Sequence, residues 1–244
     1  MKIFYQEKEP DMEKTKLTFR EKTEKFVTKP YFIVTLISVS FLLFFAGQPG
    51  TPLFYITIFI TLWAKRWDWK YFGMTRPNWL KTIIKAFLFS IFLFILTDFL
   101  MQPLLELYFG KVDLSEVSHI EGNLSNYVLY LLLGWIIGGF CEEIIYRGYV
   151  VKRLAIIFGD TNKTWLFSAI IASIGFGFAH YYQGPSGIIT TCIIGFMFGL
   201  IFIYNRNNLM LPVLTHGIYN MMAITLIYLG KARMITDWVH EFIN

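Results

Sequence analysis

Glu142 and Glu143 stand side by side in the stretch "GGFCEEIIYRG" (residues 138–148), with Arg147 four residues after Glu143, inside a run that is otherwise apolar. Each residue advances a helix by about 100°, so Glu143 and Arg147 share a face and can pair while Glu142 points elsewhere. One carboxylate is then neutralised and its neighbour is left for acid/base work. His180 follows as Phe176-x-x-x-His180 in "FGFAHYY", and His216 and Asn220 lie one turn apart in "THGIYN". An imidazole and an amide on one helix face are two convergent donors, which is what a developing oxyanion needs. Each group also has a bland reading: a solvated helix end, a hydrogen-bonded structural histidine, an interhelical staple. Ionisable side chains inside membrane-spanning segments cost at least ~2.5–3.5 kcal/mol each at mid-helix, so they mark a function or pair with one another. Three such clusters in one half of the chain favour a site.

Two other chemistries use the same atoms. Imidazole and carboxylate suit Zn²⁺, which needs three protein ligands and an open position; Glu142, His180 and His216 would be the set. There is no H-E-x-x-H, the ligands would come from three helices, and adjacent carboxylates do not easily bind one ion. The expectation is therefore no cofactor and no metal. Cys141, just before the glutamates, could act as a thiol nucleophile with His180. It sits in an apolar run that disfavours the thiolate, so a buried structural cysteine is the default. Cys192 is read the same way, and two cysteines make no disulfide framework.

These groups must be positioned by helices in a bilayer. Of 244 residues, 55% are hydrophobic and 16% charged, and the charges collect between long apolar runs. The pattern predicts an all-α, polytopic transmembrane bundle of about seven to eight membrane segments around a polar cavity. Spans are expected near 31–48, 51–64, 82–101, 126 to at least 145, 164–182, 187–204 and 209–229. Three regions follow: a charged cytosolic segment (1–29), a membrane domain (30–230, motif core 135–222) and an amphipathic tail (231–244). The first 29 residues carry eight Lys/Arg and six Asp/Glu, and nothing there reads as a signal peptide. The net charge of +5 comes from loops and the first segment, without a basic stripe of interleaved aromatics, so no nucleic-acid partner is implied. The lipid bilayer is the implied surroundings. A Lys-rich, Ala-poor composition points to a bacterial cell membrane.

Lysine and arginine bias orients the bundle. Residues 65–85 are basic, whereas 102–125 hold one Lys against Glu106, Asp113, Glu116 and Glu121. The first belongs to the cytosol and the second outside. Seven full crossings would leave Lys231 and Arg233 outside, against the rule, which suggests a chain break near "HYYQGPSG" (180–187). The turn-forming "GDTN" (159–162) centres on residue 161, nineteen residues from both Glu142 and His180. A straight antiparallel pair would bring them level.

Taken in order, Glu142-Glu143-x-x-x-Arg147, Phe176-x-x-x-His180 and His216-x-x-x-Asn220 resemble the three motifs of the CPBP (Abi) family, the CAAX-processing and bacteriocin-processing intramembrane proteases. The glycine after Arg147 and the glycine-rich helix "GFMFGLIF" (195–202) also match, and the likeness covers roughly 135–222. The resemblance implies a helical bundle whose polar cavity hydrolyses a peptide bond near a C-terminus or leader junction. It implies Glu142 as the base that activates water with help from His180, His216 and Asn220 as the oxyanion hole, and Glu143 and Arg147 as supporting residues. It further implies a glutamate-type mechanism in a family once labelled metal-dependent, and a peptide or precursor-protein substrate such as a CAAX-type C-terminus, bacteriocin leader or signalling-peptide precursor. A non-catalytic immunity or scaffold protein of the same fold is the alternative. A transporter would need paired repeats, and none is visible.

Overall fold

The computed structural model describes residues 17–46, 50–206 and 208–243, and among them every regular element is helical. In chain order these are α1 (Phe19–Val27), α2 (Pro30–Phe45), α3 (Thr51–Ala64), α4 (Trp79–Phe109), α5 (Leu124–Ile157), α6 (Asn162–Phe178), α7 (Gly184–Tyr204), α8 (Met210–Tyr228) and α9 (Met234–Ile243). The first sixteen residues of the expected charged segment, and Gly47 and Gln48 at the close of the first expected span, lie outside the described residues. Local chemistry sets the starts. Asn78 accepts from Lys81 N at 3.1 Å ahead of α4, Asn123 accepts from Asn126 N at 3.1 Å ahead of α5, and Thr161 forms a capping box with Thr164 ahead of α6.

Four helices among the described residues are long and apolar enough to cross a membrane: α4 with 31 residues, α5 with 34, Tyr181–Tyr204 with 24 and α8 with 19. A fifth is reached if α1 and Pro30–Leu43, bent by 62°, count as one span. That is fewer than the seven to eight segments expected. The helices at the other expected positions are short, 14 residues in α3 and 17 in α6, whereas a crossing takes about 20. The expected break at 180–187 is a reversal of direction. Tyr181–Gln183 makes one tight turn, Gly184 adopts φ +75°, and a proline in the first turn opens α7.

On α4, Leu80, Ile83, Ile84, Phe87, Leu88 and Phe92 are exposed at helical spacing. An outward stripe of this kind belongs against lipid, and the protein is an integral membrane protein. Inward, α6 and α7 pack as an antiparallel hairpin, α8 lies on α4 and on the first half of α5, and the second half of α5 lies on α6. The polar ends sort by charge. At one end the acidic 110–123 loop meets the α6–α7 turn and the end of α8, through Asp113 N to Gln183 O and Gly122 N to Tyr228 O, both 3.0 Å. At the other, Lys152 Nζ donates to Tyr71 O at 2.6 Å and Leu209 N to Gly73 O at 2.8 Å.

Candidate active site

The motif residues are carried by α5, by the end of α6 with the turn after it, which holds His180, and by α8, and α5 has an unusual backbone. Gly134–Glu142 and Ile144–Val151 follow wide π-type turns, as does Leu96–Met101 in α4 just before Pro103. In α4 the cause is local, because proline removes an N–H and crowds the carbonyl a turn earlier. In α5 the widened turns coincide with the approach of α8. A Cβ on Gly139 would lie 3.1 Å from Gly217 Cα and 3.2 Å from Val213 O, and one on Gly138 would run onto the Asn220 amide. Small residues are what allow two membrane helices to come this close.

The close approach delivers His216 to the paired glutamates. Arg147 Nη1 donates to Glu143 Oε1 at 2.7 Å, and His216 Nδ1 lies 2.8 Å from the same oxygen. Glu143 is 0% and Arg147 1% exposed. The guanidinium also donates from Nη2 to Gly195 O at 2.6 Å and lies over the rings of Phe176 and Phe198 at 4.9 and 5.3 Å. A buried charge of this kind is tolerable only when paired and hydrogen-bonded, and here Arg147 has both. Glu143 Oε2 is buried without a hydrogen-bond partner, so Oε1 alone carries both bonds. Phe198 stacks on His216 at 4.5 Å and holds the ring in place.

A carboxylate only accepts, so His216 Nδ1 carries the proton on the Glu143 side and Nε2 faces Glu142, 3.9 Å from its Oε2. His180 is oriented by the same logic: its Nδ1 donates to Phe176 O at 2.8 Å, which leaves Nε2 to accept a proton in the neutral ring. Asn220 donates from Nδ2 to Gly134 O at 3.0 Å. The two donors expected to converge are thus each partly engaged. His216 can donate from Nε2 only when the ring carries both protons, and Asn220 offers its second amide hydrogen.

Glu142, His180, His216 and Asn220 line one cavity of about 370 Å³. Glu143 and Arg147 lie behind it, and Cys141, a free half-buried thiol, is not on its wall. The cavity runs toward the end of the bundle that bears the acidic loop, past Thr97, Asp98, Tyr219 and Gln102, to a rim built on Glu106. Glu106 accepts from Arg233 Nη1 and Nη2 at 2.9 and 2.7 Å, from Gln102 Nε2 at 2.9 Å and from Val112 N at 3.0 Å, and lies 3.3 Å from His240 Nε2. The Arg233 guanidinium is held well above its ordinary value by these bonds to Glu106. Among the described residues no three His, Cys, Asp or Glu side chains are grouped so as to hold a metal ion. Phe176 O and Glu143 hold Nδ1 of His180 and His216, so Nε2 is the atom that each ring would offer to a metal or a proton. No step is routed through a metal.

Sequence reasoning passed over Asp98 and Tyr219. The signal was available, for Asp98 is the one acid in the expected 82–101 span.

Residues 124–222 match the family described as Rce1-like, type II CAAX prenyl endopeptidase Rce1-like. This stretch holds all three motifs and is consistent with the likeness to CPBP intramembrane proteases. An uncharacterised protein of Mycoplasma capricolum subsp. capricolum is 33% identical over 129 residues, which cover 48% of this chain and 36% of that relative. The chain therefore spans about a third of the length of the curated relative it matches. No solved structure matches it.

Proposed function

We propose that the protein is an intramembrane endopeptidase that hydrolyses a peptide bond in a membrane-associated peptide or precursor protein, in the manner of the Rce1-like family. The observation that carries this reading is the meeting of Glu142, His180, His216 and Asn220 on one cavity wall, drawn from α5, the turn after α6 and α8, within the segment that matches that family. Glu142 takes a proton from water, and the hydroxide attacks the amide carbon. His180 Nε2 supports the proton transfer. The oxyanion is met by His216 Nε2–H when that ring carries both protons, and by the free amide hydrogen of Asn220. Donors of this kind typically contribute about 10²–10³-fold in rate each. Collapse of the tetrahedral intermediate returns the proton to the leaving nitrogen. The reading needs no metal.

The test uses the full chain in liposomes with quenched-fluorescent apolar peptides. Glu142→Gln is expected to reduce cleavage by at least about 10³-fold while the folded state persists, as expected for loss of the general base and its charge. Unimpaired cleavage by that variant would remove the reading. Activity that survives a strong chelator is the expected companion result.

A further inference from the structure

Asp98 lies in the wall of the same cavity, on the π-type turn Leu96–Met101 of α4, a helix otherwise built for lipid. Its recorded hydrogen bond is from Thr97 Oγ1 to Oδ2 at 2.8 Å, and no ion pair reaches it among the described residues. The other acids on this wall are accounted for. Glu106 is bound to Arg233, Asp113 caps Ser115 N at 2.9 Å, and Glu142 belongs to the proposed base. Among the described residues Arg233, already engaged by Glu106 and Asp237, is the one arginine or lysine on the wall. A carboxylate at membrane depth without a cation of its own faces a cavity for a reason, and the common reasons are an ion or a substrate group.

Resting on the reading above, we propose that Asp98 selects the substrate: it receives a lysine or arginine side chain, or a free amine, close to the bond that is cut. The position follows from the neighbours. Thr97 Oγ1 is 3.2 Å from Tyr219 OH, and Tyr219 lies three residues beyond His216 and beside Asn220 on α8. Three residues of helix rise about 4.5 Å. An extended peptide advances about 3.3 Å per residue, so the cationic residue falls about one to three positions from the scissile amide. The carboxylate also repels an anionic group there, which sets the preference in both directions.

The test takes the full chain in liposomes and a set of quenched-fluorescent apolar decapeptides. These are identical except for one scanned position, which holds lysine, its neutral analogue norleucine or glutamate. At one to three positions from the cut, lysine is expected to raise kcat/KM about 10- to 100-fold over norleucine, the range that a hydrogen bond to a charged group contributes. Asp98→Asn is expected to erase that ratio, and Asp98→Lys to favour glutamate. A wild-type protein that cleaves all peptides alike overturns this proposal and leaves the protease reading standing. One that cleaves none overturns both. Lysine preference unchanged in Asp98→Asn overturns the assignment to this residue, and if that variant does not fold, the wild-type ratio still decides.

Discussion

Glu143 and Arg147 set up the most demanding test of the packing argument. Glu143→Gln leaves a guanidinium that is 1% exposed against the faces of Phe176 and Phe198, with its partner charge gone. Removing one member of a fully buried pair typically costs about 3–5 kcal/mol, because the survivor cannot be resolvated. Both side chains are essentially inaccessible, so no discount for solvent screening applies. The glutamine of that variant can keep both bonds on its one oxygen, but it buries its amide hydrogens where Glu143 Oε2 already lacks a partner. Arg147→Met should cost about the same, since it strands Glu143, whose Oε2 already lacks a partner. The double variant Glu143→Leu/Arg147→Met removes both charges and should lose less than the sum of the singles by at least about 2 kcal/mol. Unfolding in mixed micelles titrated with a denaturing detergent, with a helix-sensitive readout, measures the cycle. Single losses below about 1 kcal/mol, or strict additivity, would refute the claim that this pair is desolvated and coupled.

Three further outcomes are expected. Gly138→Ala places a methyl against the end of the Asn220 side chain, which can swing aside, so thermal stability should shift by less than about 1 kcal/mol while peptide cleavage falls at least tenfold. Asn220→Ala should lower stability by only about 1 kcal/mol, the worth of its bond to Gly134 O, yet reduce kcat by about 10²-fold; a rate loss no greater than the loss of folded protein would confine Asn220 to bracing the helices. The Asp113 carboxyl is held below its ordinary value by the Ser115 N–H, so the stability it lends the 113–115 turn is present above the unfolded value near 3.9 and lost as pH falls through the lowered folded one. Hydrogen exchange at Ser115 should therefore stay slow to about pH 4 and quicken in stronger acid.

Much of this site was legible in the residues. Four-residue spacing placed Glu143 against Arg147, and the symmetric hairpin about residue 161 placed Glu142 and His180 on one cavity. What spacing could not show was which atoms were already engaged. The bonds from His216 to Glu143 and from Asn220 to Gly134 join positions 73 and 86 residues apart, and they follow from how closely the glycines of α5 let α8 approach. Seven to eight membrane segments were expected, and four or five helices among the described residues have the length and composition of a crossing. Apolar composition marks α3 and α6 as membrane segments, but where a helix stops depends on local breaks such as Gly184, and the two come out too short to cross alone. Asp98 was missed because a single acid in an apolar run has no partner in its own sequence neighbourhood; the cavity supplies its meaning.

The rim built on Glu106 also bears on how the chain is threaded. Counting lysines and arginines puts the tail on the wrong side for an odd number of crossings, yet Arg233 sits at the acidic end beside the 110–123 loop. Its guanidinium is gripped by Glu106 and Asp237 of the same chain, 2.7 and 2.9 Å away. In the folded bundle these two carboxylates hold the tail's cation at the acidic end, whatever bias the lysines and arginines exert on insertion.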